Sequence, residues 1–422
     1  MTSVKDQPWF MAENVQRVLD VMNGDGAETR VVGGAVRNAL MGLSVNDIDM
    51  ATTLEPDAVI ARAKAHGMKP VPTGIDHGTV TVICNHQPFE LTTLRTDVET
   101  FGRHAQVRFG TDWAEDAARR DLTINALYAG MDGEVIDLVD GLADIETKTV
   151  RFIGDAELRI REDYLRILRF FRFFAWYGAG RPDAKGLKAA AKARDGIATL
   201  SAERIWSELK KLLSAEDPSR ALLWMRQTGV LTLVLPESEK WGIDAIGPLI
   251  ATEAQLGWTP DPYLRLAAII PPDEGRVSAM ARRLRLSNAE GARLKAFARA
   301  PQMGDGMSQA ALKRLLYRHG RDGIEIRLRH LLASARGKAA AGDLEQAAAS
   351  ARLLVLLEMV TSWEKPLMPI TGADVIAAGA KPGPQVGEIL KLLENEWVEG
   401  GFAYDRATLA ARMEALVATL KP

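Results

Sequence analysis

The spacing of apolar residues changes once along this chain of 422 residues. Up to about residue 150, short β-branched runs recur at Thr29 to Val32, Thr79 to Ile83, Phe89 to Leu94 and Val135 to Val139, with helical stretches between them. Their two-residue period is that of strands, and the alternation predicts an α+β domain, a mixed sheet flanked by helices. Asn85-His-Gln-Pro88 is a turn-forming segment and predicts that Gly78 to Ile83 and Phe89 to Leu94 form a hairpin. Beyond residue 155 the period lengthens to that of α-helices. Alanine- and leucine-rich helices are predicted over Glu162 to Tyr177, Ala202 to Leu213, Pro218 to Gly229 and Arg276 to Arg299. The predicted organisation is an α+β domain over residues 1–150, then all-helical segments over 151–230 and 231–422.

Composition narrows this picture only a little. Hydrophobic residues make up 47% and charged residues 26%, which is ordinary globular composition. No apolar run reaches the ~18 residues that span a bilayer, and the N-terminus lacks a signal-like apolar core. A cytoplasmic protein without a membrane partner is expected, and nothing in the sequence calls for an obligatory protein partner. The single cysteine, Cys84, excludes an internal disulfide and a cysteine-rich metal site; within Thr79-Val-Thr-Val-Ile-Cys84 it reads as a small buried apolar residue. The net charge of −2 conceals a regional excess. Between Arg276 and Lys338, 15 Lys and Arg face four Asp and Glu, which favours a polyanionic partner.

The chemistry concentrates in the first domain. Asp47-Ile-Asp49 sits on the apolar run Val45 to Met50, read as a strand, where residues two apart share a face. Two like charges on one sheet face need a compensating cation, and Mg²⁺ suits such oxygen ligands. Glu90, on the strand Phe89 to Leu94, is placed to be the third acid. Three carboxylates with divalent ions form an apparatus for in-line attack of a hydroxyl on a phosphoryl group. Upstream, Gly33 and Gly34 end a strand and open a helix, leaving backbone N–H groups open to phosphate oxygens, and Arg37 adds a forked cation.

These residues, in this order, resemble the class II CCA-adding tRNA nucleotidyltransferases, which carry a polymerase β-like head. The resemblance rests on Gly33-Gly-Ala-Val-Arg37, Asp47-Ile-Asp49, His77-Gly-Thr79, Glu90-Leu-Thr-Thr-Leu-Arg95, Arg119-Arg-Asp-Leu-Thr-Ile-Asn125, Glu162-Asp-Tyr-Leu-Arg-Ile-Leu-Arg169 and Gly379-Ala-Lys-Pro-Gly-Pro384. Gly102-Arg-His-Ala105 followed by Asp112-Trp113 is similar to the mitochondrial and α-proteobacterial branch. The resemblance implies a catalytic head at 1–150, a neck with a nucleotide-selecting helix at 151–230, and a tRNA-binding body and tail at 231–422. The implied activity is addition of C, C and A to the tRNA 3′ end from CTP and ATP, with Mg²⁺ held by Asp47 and Asp49 and completed by Glu90. Gly34, Arg37 and Arg120 are implied nucleotide ligands, with Asp121 and Asn125 fixing sugar and local structure from one helical face.

The helix Glu162 to Tyr177 is predicted to carry Asp163, Arg166, Arg169 and Arg172 as one stripe at three-residue spacing. In the family this helix replaces a template. Cytosine and adenine each present an amino donor beside a ring-nitrogen acceptor, so Asp163 accepts while Arg166 donates; uracil and guanine present the reverse order. Arg169 and Arg172 are left for the triphosphate. A family loop between Thr96 and Val107 switches specificity from C to A, and Phe101 stands where relatives often have an acid. Asn38 replaces the usual aspartate, which implies a retained fold and weaker nucleotide binding. Glu203, Arg204 and Glu208 read as structural, while Lys313, Arg314, Arg318 and Lys381 are the candidate tRNA-phosphate contacts. A poly(A) polymerase of the same family is the nearest alternative, though His77-Gly-Thr-Val-Thr-Val82 stands in place of its basic segment. A noncatalytic RNA-binding scaffold is opposed by the intact acids.

Overall fold

The computed structural model describes residues 2–101, 104–239 and 241–419, with side chains described outside 96–107. The side chain of Phe101, and Gly102 and Arg103, lie outside the described residues. The chain forms two compact units, residues 1–236 and 237–422, so the change of texture near residue 150 falls inside the first.

The strands are β1 (Thr29–Val32), β2 (Asp49–Thr52), β3 (Lys69–Gly74), β4 (Thr79–Cys84), β5 (Gln87–Thr93), β6 (Arg95–Phe101), β7 (His104–Phe109), β8 (Leu127–Ala129) and β9 (Val135–Asp137). Seven form one sheet in the order β3-β4-β5-β2-β1-β8-β9, and β6 pairs with β7 separately. Only the β2–β5 pair in the large sheet is parallel, which makes the sheet mixed. On β4, Val80, Val82 and Cys84 point inward while Thr79, Thr81 and Ile83 are half-exposed, the alternation that sets its register. Cys84 is a buried free thiol. Around the sheet lie α1 (Glu13–Met22), α2 (Gly34–Leu40), α3 (Pro56–Ala65), α4 (Trp113–Ala118) and α5 (Gly141–Glu146). Val32, Ala51, Leu94, Ala126 and Tyr128 form a buried cluster under β1, β2 and β8.

The first unit continues through α6 (Ala156–Glu162), α7 (Leu165–Tyr177), α8 (Ala184–Ala193), α9 (Ala202–Leu213), α10 (Ser219–Gln227) and α11 (Val230–Val234). The second contains α12 (Ile246–Leu256), α13 (Pro262–Ile269), α14 (Glu274–Arg283), α15 (Asn288–Arg299), α16 (Gln309–His319) and α17 (Arg321–Ala340). It ends with α18 (Leu344–Ser362), α19 (Gly372–Ala377), α20 (Pro384–Glu399) and α21 (Arg406–Thr419). Its apolar residues gather in two clusters, one where α16, α17 and α18 meet and one around Trp397. Among the described residues no helix is long and apolar enough to cross a membrane.

Four elements differ from their sequence reading. The run Val45 to Met50 becomes a strand only at Asp49, because β1 ends opposite that residue and earlier positions have no partner. Glu162 to Tyr177 is not one helix. Asp163 is extended (φ −153°, ψ 109°), and its carboxylate accepts the Leu165 N–H at 3.1 Å, a side-chain bond that competes with the helical ladder. Arg276 to Arg299 divides at Arg285, whose φ is 51°, and Ser287 then caps α15 in a capping box with Glu290. The helix expected around Asp121 and Asn125 is replaced by one tight turn at Thr123–Asn125 leading into β8, because Leu122, Ile124 and Leu127 are all buried.

Candidate active site

Parallel pairing of β2 with β5 sets Asp49 opposite Glu90 in register, so both carboxylates stand at one end and on one face of the sheet. Glu90 alternates with buried Phe89 and Leu91, which fixes its outward face. Asp47 lies two residues before the strand begins. Desolvation, then the charges of Glu90 and Asp47, push the Asp49 carboxyl up to about 6, with Arg120 opposing. Among the described residues no three His, Cys, Asp or Glu side chains converge as a ready metal cage. The donor set nonetheless fits Mg²⁺, which commonly takes one or two carboxylates and completes its shell with water and substrate phosphate.

The glycine turn lies next to this edge, since β1 pairs with β2 and passes at Gly33 into α2. Gly33 has φ 71° and ψ −112°, where a side chain would be strained, and a Cβ there would also press on the Asn125 carbonyl at 3.3 Å. Arg37, on α2, is 6% exposed, and its partners are all neutral. It donates to Asn38 Oδ1 from Nε at 3.2 Å and Nη2 at 2.9 Å, to Asn125 Oδ1, and to the Tyr177 hydroxyl at 2.8 Å. The Tyr177 ring also lies under the guanidinium, 4.1 Å from its centroid. Burial is the largest effect on Arg37 and lowers its pKa. Asn38 is itself anchored by its amide N–H to the Ser44 carbonyl at 3.0 Å.

Arg120 is committed to Asp116, through Nε at 3.1 Å and Nη2 at 2.9 Å, and Tyr128 donates to the same carboxylate oxygen at 2.8 Å. Asp116 is 1% exposed. Burial would raise its carboxyl, but Arg120, Arg119 and these hydrogen bonds hold it below the usual range. Asp121 accepts from Arg169 Nε at 2.6 Å and from Asn125 Nδ2 at 3.2 Å. Burial raises it, yet Arg169 and these bonds bring it to about 2. A continuous hydrogen-bonded chain therefore runs from Arg169 through Asp121 and Asn125 to Arg37.

The stripe read on one helix is divided in space. Arg166, Arg169 and Arg172 lie on α7, while Asp163 precedes it. Asp163 does not pair with Arg166. It takes Arg204 Nη2 at 2.5 Å, whereas Arg166 bonds Glu162 and the Arg159 carbonyl at 2.9 Å. Arg172 Nε binds Glu208 at 2.6 Å. In the second unit, Arg314 and Arg318 both reach Glu399, at 3.5 and 2.7 Å, while Lys313 and Lys381 are exposed. The regional basic excess is further reduced by pairs such as Arg293 with Asp261 and Arg299 with Glu274.

Sequence reasoning missed Tyr177, Asp116 and the link from Arg204 to Asp163. Tyr177 had a legible signal, since Phe173 and Tyr177 extend the Arg169 face of α7 at four-residue steps. The Arg204 link had none, because it joins residues 41 apart.

A model of the poly A polymerase head domain matches residues 29–151, and one described as a probable RNA and SrmB-binding site of polymerase A matches residues 182–241. The chain is 32% identical over 404 residues to the mitochondrial CCA tRNA nucleotidyltransferase 1 of Mus musculus, covering 95% of this chain and 89% of that protein. It is 31% identical over 404 residues to the CCA-adding enzyme of Levilactobacillus brevis, covering 94% and 96%. The crystal structure of the Bacillus stearothermophilus CCA-adding enzyme in complex with CTP superposes with a TM-score of 0.71 at 25% identity, over 98% of each chain. With likeness of sequence and fold running along nearly its whole length, the chain belongs to the CCA-adding tRNA nucleotidyltransferase family, enzymes built on a polymerase β-like head.

Proposed function

We propose that this chain adds C, C and A in turn to the 3′ end of tRNA, using CTP and ATP and releasing pyrophosphate. The observation that carries the reading is the in-register pair Asp49 and Glu90, negative and short of countercharge, beside the Gly33 turn. Asp47 and Asp49, with Glu90, would hold Mg²⁺, which when bound supplies a Lewis acid for the attacking 3′-oxygen and the phosphates. The 3′-oxygen forms a bond to the α-phosphorus as the bond to pyrophosphate breaks. The Gly33 N–H is engaged by the Leu127 carbonyl at 2.9 Å, so the Gly34 N–H is the backbone donor left to receive a phosphate oxygen, and Arg37 adds positive charge beneath it. Arg120, Arg169 and Arg172 are each paired with a carboxylate of their own, so they offer sugar and phosphates their remaining N–H donors from fixed positions rather than net charge.

Selection of C and A rests on Asp163 and Arg166. A carboxylate has about four acceptor positions, so with Leu165 and Arg204 bound Asp163 keeps capacity for an exocyclic amino group. Arg166 retains donors beyond those on Glu162 and Arg159 for the ring nitrogen. Lys313, Arg314, Arg318 and Lys381 follow the tRNA backbone. Arg314 and Arg318 share Glu399, so their pull on phosphate is weaker than that of the two lysines.

The test is extension of tRNA transcripts ending at the discriminator base, with Mg²⁺ and CTP and ATP supplied separately and together. Three added nucleotides are expected. Long A tails would establish the poly(A) polymerase alternative, and no extension would overturn both. For the RNA contacts, Lys313→Ala with Lys381→Ala is expected to weaken tRNA binding and lower its salt slope by about 1 to 2; unchanged affinity refutes that assignment.

A further inference from the structure

Within residues 237–422 a cavity of about 910 Å³ opens between α12, α13, α15 and α17. Leu249, Ala268, Phe297 and Met303 form apolar walls and are themselves buried. A volume of this size lies in the range of sites that enclose small organic molecules. Apolar walls also hold ordered water poorly, since each water needs two or more polar partners.

One charge faces this space from the inner wall, that of Arg327. Its Nη2 donates to the Ala300 carbonyl at 3.0 Å, and its guanidinium stands 4.8 Å from the Phe297 ring centroid. Its Nε is buried with no hydrogen-bond partner. Two other arginines of α17 are paired with a carboxylate. Arg321 and Arg329 share Glu325, while Arg336 donates to Gln255 and also has a buried Nε without a partner, but it does not line this cavity. Arg327 is thus a partly buried cation without a paired carboxylate among the described residues, an arrangement that costs stability until an anion arrives.

The remaining lining groups do not cancel it. Asp244 and Lys338 are both exposed and of opposite sign. His330 bonds the Leu264 carbonyl through Nε2 at 2.9 Å, and burial keeps its ring neutral at ordinary pH. The wall therefore offers a single interior positive charge beside an aromatic face, backed by apolar surface.

We propose that this cavity binds an amphipathic organic anion, an apolar ring or chain ending in a carboxylate, sulfonate or phosphate group. The anion would meet the Arg327 guanidinium, and the apolar body would cover Phe297, Leu249 and Met303. The site is distinct from the nucleotide-handling residues, all of which lie in residues 1–236, and its existence does not rest on the polymerisation reaction.

The experiment is a fluorescence titration of the full chain with 8-anilinonaphthalene-1-sulfonate, paired with the uncharged N-phenyl-1-naphthylamine. Saturable binding at one site is expected for both. Arg327→Met should weaken the sulfonate about tenfold or more and leave the neutral dye within about twofold, since a hydrogen bond to a charged group accounts for the difference. Arg327→Lys should recover part of the loss, and Ser334→Trp, whose ring would enter the cavity from an exposed position, should abolish both signals. Thermal melts confirm that each variant is folded. Should Arg327→Met fail to fold, the Ser334→Trp result and displacement of the sulfonate by octanoate decide the matter. Binding that never saturates, equal sulfonate affinity in wild type and a folded Arg327→Met, or Ser334→Trp retaining full signal would overturn the proposal.

Discussion

Two neighbouring parts of the first unit carry opposite imbalances. At the sheet edge, Asp49 and Glu90 stand side by side with Asp47 near, and burial, then the charges of Glu90 and Asp47, raise the carboxyl of Asp49 to about 6. Under the Gly33 turn, Arg37 is buried among three neutral acceptors, and that burial lowers its pKa. Folding alone would favour neutralising each, as Asp116 neutralises Arg120 and Asp121 neutralises Arg169. The contrast separates charges the fold neutralises itself from charges it leaves uncompensated. On the proposed function, a metal-bound triphosphate would bring cation to the first region and anion to the second, so that each lacks what the substrate would supply.

The comparison breaks most severely at Asp49. Asp49→Asn should lower kcat by more than the ~100-fold typical of changes that only orient a metal ligand, with the fold intact by circular dichroism. A variant retaining full activity would remove the sheet edge from the chemistry. A pH profile separates the two regions more gently. Asp49 is ionised above about 6, so at limiting Mg²⁺ the rate should fall about tenfold for each pH unit below that value. Excess Mg²⁺ should move the midpoint lower by favouring the carboxylate. Stability runs the other way here, because the native state takes up this proton near pH 6 and the unfolded chain only near 3.8. This carboxyl therefore destabilises the fold at pH 7 relative to pH 4. A flat rate profile between pH 5 and 7 would mean that Asp49 carries no metal.

The smallest effect belongs to Asn38. Its oxygen already aims Arg37 through two hydrogen bonds, so what aspartate would add is charge rather than geometry. Asn38→Asp should raise the melting temperature and lower the KM for CTP and ATP by a few-fold, about 1 kcal/mol. Unchanged KM values would show that orientation of Arg37 is the whole contribution of this position.

The sheet edge was largely legible in the sequence. Glu90 declared its face by alternating with Phe89 and Leu91, and the Asn85 to Pro88 turn announced the hairpin that presents it. The guanidinium pocket was half legible. Arg37 stood out in the glycine motif, but Tyr177 lies 140 residues away, and no local pattern states such a contact. The same limit explains Asp163. Glu162-Asp-Tyr-Leu165 suits a helix by period, and the break depends on a carboxylate held by Arg204. The division at Arg285 is a different case, since Ser287 and Glu290 carry the spacing of a helix start within a run whose apolar period suggests continuity.

The parallel β2–β5 pair also orders events during folding. Antiparallel β4 and β5 need only a tight turn between them, whereas parallel strands require a crossover, here α3, β3 and β4. Closing that crossover is a non-local step with an entropic cost, and it must also overcome the repulsion between Asp49 and Glu90. Loop-closure entropy therefore favours the β4–β5 hairpin over the β2–β5 pairing as the earlier contact. The repulsion at the charged edge is thus carried by the contact with the higher entropic cost.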